Sequence, residues 1–329
     1  MRIAIDAMGG DHAPGLIVQG ALDAAKEWPD TEIVLVGQEA VITSLLQGQA
    51  PSNLSIQHAD EVIGPDDEPV RAVRRKKNSS MVAAGALVRD GQVDAMLSAG
   101  NTGALMAAGL LIVGRLPGIE RPALAPMLPT MDDVGFLSLD LGANMDARPE
   151  HLLQYAVMGS IYRRKVHGME RPRVGLLNVG TEAGKGNELT KAAYELLEQS
   201  PIHFIGNVEA RDVLARSCDV LVCDGFGGNI MLKAMEGTAG ALFGEIKSAF
   251  THSWLTKLAA AIMLPRLRTL KNKMDYTQYG GAPLLGLNGL VLKCHGSSDA
   301  VAIKSAVRQA RIAIQGKLTE SIAVEINGK

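Results

Sequence analysis

Along this chain a short apolar run is repeatedly followed by a loop of glycine, asparagine and aspartate, and then by a stretch with helical spacing. Val220-Leu221-Val222-Cys223, the loop Asp224-Gly225-Phe226-Gly227-Gly228-Asn229 and the segment from Ile230 onward form one such unit. A run that is apolar at every position must be covered on both faces, which a parallel sheet between helices achieves. The same reading gives strands at 3–7, 32–37, 54–58, 93–97, 173–179, 202–205 and 290–292. Helices are predicted at 16–28, 40–46, 104–113, 149–167, 189–198, 208–214 and 300–318. Two runs at 123–128 and 134–139 read as a hairpin or as adjacent strands. The alternation predicts an α/β fold, and the 329 residues suffice for a substantial core.

Composition removes several functions. Aromatic residues make up 4% of the chain and the formal net charge is -2, so neither a stacking surface nor a basic field for nucleic acid is present. Cys218, Cys223 and Cys294 share no metal-type spacing and read as buried thiols in a reducing compartment. The N-terminus runs into Arg2-Ile3-Ala4-Ile5-Asp6 without an apolar signal segment, and no stretch has the length of a membrane span, so the expected location is the cytoplasm.

Open α/β sheets bind ligands beyond the carboxyl ends of their strands, and the polar loops fall there. In 224–229 a glycine-rich turn ahead of a helix offers backbone N–H groups at the positive end of the helix dipole. The alternative is a tight turn with no ligand. Ser98-Ala99-Gly100-Asn101-Thr102-Gly103 repeats the layout, with Asn101 and Thr102 as donors or as helix caps. Asp6-Ala7-Met8-Gly9-Gly10-Asp11 lacks the GxGxxG fingerprint; its carboxylates are metal ligands or solvated loop acids. Lys185, between Gly184 and Gly186, is either a mobile ammonium above an anion or an ordinary surface lysine. The acidic 66–68 and basic 74–77 runs read as a paired, solvated surface, with an acidic partner as the second reading.

Residues 240–274 break the alternation. Lys247, Lys257, Arg266, Arg268, Lys271 and Lys273 surround the apolar run 258–264, which Pro265 ends. A helix on an anionic membrane, a docking face for an acidic partner, and a helix pair in a dimer or on the core all fit.

Anion-type turns, one mobile lysine and no evident covalent nucleophile point to phosphate itself as the attacking group. Phosphate is already an anion, and a thiolate leaves without much help because its pKa is only about 8.5. The protein then has to hold phosphate against a thioester carbonyl and stabilise the oxyanion. Asn229, Lys185, Ser297 and Ser298 suit that work, and the same groups also fit a kinase-like or hydrolase site.

The motifs 6–11, 98–103, 140–144, 224–229 and His295-Gly296-Ser297-Ser298-Asp299, taken together and in order, resemble the bacterial phosphate acyltransferase family of phospholipid synthesis over essentially the whole chain. The resemblance implies a three-layer α/β/α fold with a mostly parallel, Rossmann-like sheet akin to phosphotransacetylase, formed by one domain over 1–329 with a projecting helical hairpin at 240–274. It implies transfer of a fatty acyl group from acyl carrier protein to inorganic phosphate, giving acyl phosphate; no cofactor is expected and no residue is assigned as a metal ligand. Phosphotransacetylase-type exchange on coenzyme A thioesters and a non-catalytic membrane-surface scaffold are the alternatives. Carried onto this sequence, Lys185 and Asn229 are catalytic, and Asn101, Thr102, Gly103, Gly225, Gly228, His295, Ser297 and Ser298 bind substrate. Leu258, Ile262, Leu264, Arg266, Arg268 and Lys271 meet membrane or carrier protein. The implied partners are acyl carrier protein, a second copy in a homodimer, the inner membrane surface and the glycerol-phosphate acyltransferase that consumes acyl phosphate. Gly227 departs from the family, which often carries a side chain there, so no donor role falls to that position.

Overall fold

The computed structural model describes residues 1–273 and 280–328, without the side chains of Leu255, Leu258, Ala259, Arg268, Lys271 and Asn272. Its strands are β1 (Arg2–Asp6), β2 (Glu32–Gly37), β3 (Leu54–His58), β4 (Ala95–Ser98), β5 (Ala123–Leu124), β6 (Met127–Leu128), β7 (Phe136–Leu139), β8 (Val174–Asn178), β9 (Phe204–Glu209), β10 (Val220–Val222), β11 (Ala282–Leu285) and β12 (Leu290–Lys293). One sheet runs β3, β2, β1, β4, β12, β11, β5, and the other β6, β7, β10, β8, β9. Pairing is parallel except where β11 meets β12 and β5, and where β6 meets β7. Each sheet therefore ends in short antiparallel strands at the point where the chain crosses from one to the other.

The helices are α1 (Gly15–Glu27), α2 (Glu39–Leu46), α3 (Pro69–Arg75), α4 (Ser80–Arg89), α5 (Thr102–Ala108), α6 (Pro149–His167), α7 (Glu188–Glu198), α8 (Gly225–Thr251), α9 (Trp254–Lys273), α10 (Ala300–Gln315) and α11 (Leu318–Asn327). Strand residues alternate between two apolar layers, as a pleat requires. Ile3, Ile33, Leu97 and Leu292 of the first sheet join Leu139, Val174 and Val220 of the second in one core, beneath α1, α6, α10 and α11. Ala4, Val34, Met96 and Val291 face a second layer under α4 and α5, while Phe136 and Leu221 face a third beside the start of α8. This is a three-layer α/β/α arrangement with mixed, mostly parallel sheets.

Several elements differ from the sequence reading. The charge-rich 62–80 region contains α3 and the approach to α4. Glu68 caps α3 by accepting from the Val70 and Arg71 amides, Ser79 caps α4, and the acidic and basic runs pair through Lys76 and Asp67 at 2.5 Å. The expected helix 300–318 ends at Gln315, because Lys317 takes a left-handed φ of 50° before α11 begins. Two helices do pack against each other around 240–274, but they span 225–251 and 254–273, and Met274 lies outside the described residues. The turn between them is His252-Ser253, where the Ser253 hydroxyl accepts from the Thr256 amide at 3.2 Å. Pro265 sits inside α9 and not at a tip; proline removes one ladder bond, and helix continues on both sides of it.

Candidate functional site

The chain passes between sheets through Ala125-Pro126, and that segment is tied to both. The Ala125 amide donates to Pro283 O at 3.0 Å, and the Ser138 amide donates to Pro126 O at 3.1 Å. A cleft of about 340 Å³ opens here. Leu124, Pro126, Met127, Leu141 and Leu232 give it apolar wall, while Thr102, Asn229, Lys293 and His295 supply polar groups from the ends of β4, β10 and β12. Loops far apart in sequence are brought together because β12 pairs with β4 in register, Lys293 opposite Ser98.

Three aspartates at strand ends organise these loops. Asp6 ends β1 fully buried, accepting from the Ser98 hydroxyl at 2.6 Å and the Met8 amide at 3.2 Å. Burial raises its pKa against the pull of those bonds. Asp140 follows β7, and its carboxylate accepts from the amides of Leu124, Ala143 and Asn144 and from the Asn144 side chain at 3.1 Å. Burial outweighs these bonds and pushes its pKa up to about 6. Asp224 follows β10 and caps α8 through the Gly227 amide.

That last cap corrects the expected amide pocket. Helix α8 begins at Gly225, so 225–229 is helix and not a loop. The Gly225 amide donates to Asn144 O at 2.9 Å, the Gly227 amide to the Asp224 carboxylate, and the Gly228 amide to Asp224 O at 3.0 Å. The protein's own oxygens thus occupy donors that the sequence reading reserved for an anion. The glycines have a packing reason instead. A Cβ at Gly228 would lie 2.2 Å from Asp140 O, and one at Gly225 would lie 2.6 Å from Asn144 O. Only a residue without a side chain lets the 140–144 loop press against this helix start. At Gly103 the neighbour is the Pro69 ring.

The other expected residues separate into groups. Asn229 lines the cleft, half-buried beside Gly142, and its side-chain amide has no hydrogen-bond partner among the described residues. Thr102 also lines the cleft. Asn101 does not: its Oδ1 accepts from the Ala104 amide at 3.0 Å, and its Nδ2 donates to Gly64, Pro65 and Asp67 carbonyls. It is a helix cap that ties two loops, which the capping alternative anticipated. His295 lines the cleft with Nδ1 toward the Ser297 hydroxyl at 2.7 Å and accepting from the Ser297 amide at 3.2 Å. An amide donor at Nδ1 places the ring proton on Nε2. Ser298 is buried and lies outside the cleft lining.

Lys185 is exposed on the loop after β8, its carbonyl accepting from the Asn178 side chain at 3.1 Å, and it is not part of the cleft wall. Of the hairpin residues, Ile262 is 76% exposed and Leu264 42%, with Arg266 exposed beside them. The side chains of Leu258, Arg268 and Lys271 lie outside the described residues. No helix among the described residues is long and apolar enough to cross a membrane. Among them no cluster of histidine, cysteine and carboxylate side chains is arranged to hold a metal ion.

Two site residues escaped the sequence reading. Asp140 stood in a recognised motif without a role. Lys293 ends the apolar run 290–292, and a cation closing a buried strand at its carboxyl edge was the available signal. An apolar wall facing a small set of polar donors and a buried cation is suited to a molecule with a long apolar part and a reacting carbonyl or anion at one end.

Comparison with known proteins agrees with this geometry. The family model described as "Fatty acid synthesis protein" matches residues 1–320. The chain is 60% identical over 326 residues to the phosphate acyltransferase of Geobacillus thermodenitrificans, covering 99% of each chain. It is 59% identical over 322 residues to that of Brevibacillus brevis, covering 98% of this chain and 96% of the relative. Among solved structures it resembles a phosphotransacetylase from Streptococcus pyogenes, with TM-score 0.62, 17% identity, and 97% and 94% of the two chains covered. It also resembles the phosphotransacetylase EutD from Staphylococcus aureus, with TM-score 0.58, 18% identity, and 95% and 94% covered. At such identities these two likenesses establish the shared fold.

Proposed function

We propose, on the premise that this chain belongs to the phosphate acyltransferase family of fatty acid synthesis, that it transfers a fatty acyl group from acyl carrier protein to inorganic phosphate. The observation carrying this reading is the two-sided cleft, in which Leu124, Met127, Leu141 and Leu232 share a cavity with Asn229, Lys293 and His295. The acyl chain lies along the apolar wall, which places the thioester carbonyl toward Asn229. A phosphate oxygen attacks the carbonyl carbon, a C–O bond forms, and the carbonyl electron pair moves to oxygen. The Asn229 side-chain amide, which has no partner among the described residues, donates to that oxyanion. Collapse breaks the C–S bond and releases the carrier's thiolate, which takes up a proton from water, leaving acyl phosphate. Lys185, flexible between two glycines, closes over the phosphate once substrate is bound.

The exposed Ile262 and Leu264 beside Arg266, with exposed Trp254 at the start of α9, support a role for the α8–α9 arm on an anionic membrane or on the acidic carrier protein. On this reading the protein works as a homodimer at the inner membrane surface and delivers acyl phosphate to a glycerol-phosphate acyltransferase. The test is to incubate the acyl carrier protein thioester with and without phosphate and to trap product with hydroxylamine. Acyl hydroxamate and free carrier thiol should appear only with phosphate. Thioester loss at the same rate without phosphate identifies a thioesterase and rejects the reading. Preference for short acyl-coenzyme A over the long-chain carrier thioester would replace the acyl donor.

A further inference from the structure

One wall of the cleft holds a cation with no ion-pair partner among the described residues. Lys293 is 9% exposed, and its ammonium donates to the backbone carbonyls of Cys294 and, at 3.5 Å, Ala99. A carbonyl accepts a hydrogen bond without neutralising a charge. No carboxylate lies within ion-pair distance of Lys293 among the described residues. The groups near enough to act on its charge are the Cys294 thiol, Asp11 and Asp6, and the Asp6 oxygens already accept from Ser98 and Met8. Burial pulls the Lys293 pKa down and outweighs the opposite pull of Cys294, Asp11 and Asp6. An ammonium in such a setting is costly to maintain unless an anion completes it.

Position and valence identify the anion. The two carbonyls belong to the loops that follow β4 and β12, so the ammonium is pinned where the Thr102 and His295 loops meet, in the wall that also carries Asn229. An ammonium has three N–H donors, and two are engaged. We infer that Lys293 is the fixed receptor for the attacking inorganic phosphate, its remaining N–H donated to a phosphate oxygen. This rests on the phosphate-dependent acyl transfer proposed above. It divides the work of the cleft: Lys293 holds the nucleophile and Asn229 the carbonyl oxygen.

Lys293→Met keeps the packed stem and removes the charge. With acyl carrier protein thioester saturating, the variant's KM for phosphate should rise about 10- to 100-fold, as expected for one charge-assisted hydrogen bond. Its KM for the thioester should stay within about twofold, since that ligand gains little from this cation. An unchanged phosphate KM, equal rises in both constants, or a fall in kcat alone overturns the assignment. A second measurement needs no variant: reductive methylation of the wild-type protein, read by peptide mass spectrometry. Inorganic phosphate should slow labelling of Lys293 severalfold and leave the exposed Lys26 unaffected. Lys293 labelling that phosphate does not slow overturns the assignment. The two readings fail separately, because thioester loss by the wild type without phosphate rejects acyl transfer itself, whereas phosphate-dependent turnover with an unshifted phosphate KM rejects only Lys293.

Discussion

The amide of Asn229 and the carboxylate of Asp140 illustrate opposite uses of a polar side chain at a strand end. The Asn229 side chain has no hydrogen-bond partner among the described residues, so Asn229→Ala should leave the thermal unfolding midpoint almost unchanged while lowering hydroxamate formation on the order of 10²-fold, the usual loss for one oxyanion donor. A drop in midpoint without a drop in rate would make Asn229 structural. Asp140 holds three backbone amides in place. Its pKa is raised from 3.8 to about 6 in the folded state, so the folded protein binds the extra proton. Stability from this group is therefore fully present below about pH 4, declines as pH rises through 6, and is flat above. The swing is on the order of 1–3 kcal/mol, and Asp140→Asn should abolish that slope in urea titrations run across this range. Both residues stood in legible sequence motifs. Which one was unpartnered was not legible, because that depends on Leu124 and Gly142, which only the crossover and the fold bring alongside.

Helix α8 shows where sequence pattern misleads at the scale of an element. Glycine is a poor helix former, so the run 224–229 reads as a loop. Tertiary packing overrides that preference here, since the 140–144 backbone lies where a Cβ of Gly225 or Gly228 would be. Gly228→Ala should therefore cost more than about 2 kcal/mol in chemical denaturation even though alanine has the higher helix propensity. A stabilised variant would show that the contact yields easily. The strands were legible in the sequence because burial on both faces leaves a continuous apolar signature; α3 and α4 were not, because their charged and small residues carry no such mark. From its start in the cleft α8 continues for 27 residues, about 40 Å, to the turn that leads into α9. At the far arm, Ile262→Glu with Leu264→Glu should abolish flotation with anionic vesicles while the circular dichroism spectrum and unfolding midpoint remain those of wild type. Undiminished flotation would refute the assignment of a membrane contact to this arm.

Across the whole molecule the two sheets share one apolar core, in which Tyr155 and Tyr162 of α6 pack with Ile303 and Val307 of α10, and Gln309 donates to the Tyr162 hydroxyl. The two-sheet layout, with the cleft at its seam, was only partly legible: the sequence showed the α/β alternation, but not that 123–124 and 127–128 belong to different sheets. Because the core crosses that seam, calorimetry should give one unfolding transition; two resolved peaks would show that the halves melt independently. The late return of β11 and β12 has a further consequence. The strands beside β4 and β5 come from beyond residue 280, so a chain cut at the crossover yields an N-terminal fragment lacking the middle of its own sheet. Neither piece can close its apolar face alone. Mixed in equal amounts, the two pieces should instead complement each other noncovalently and restore a folded pair.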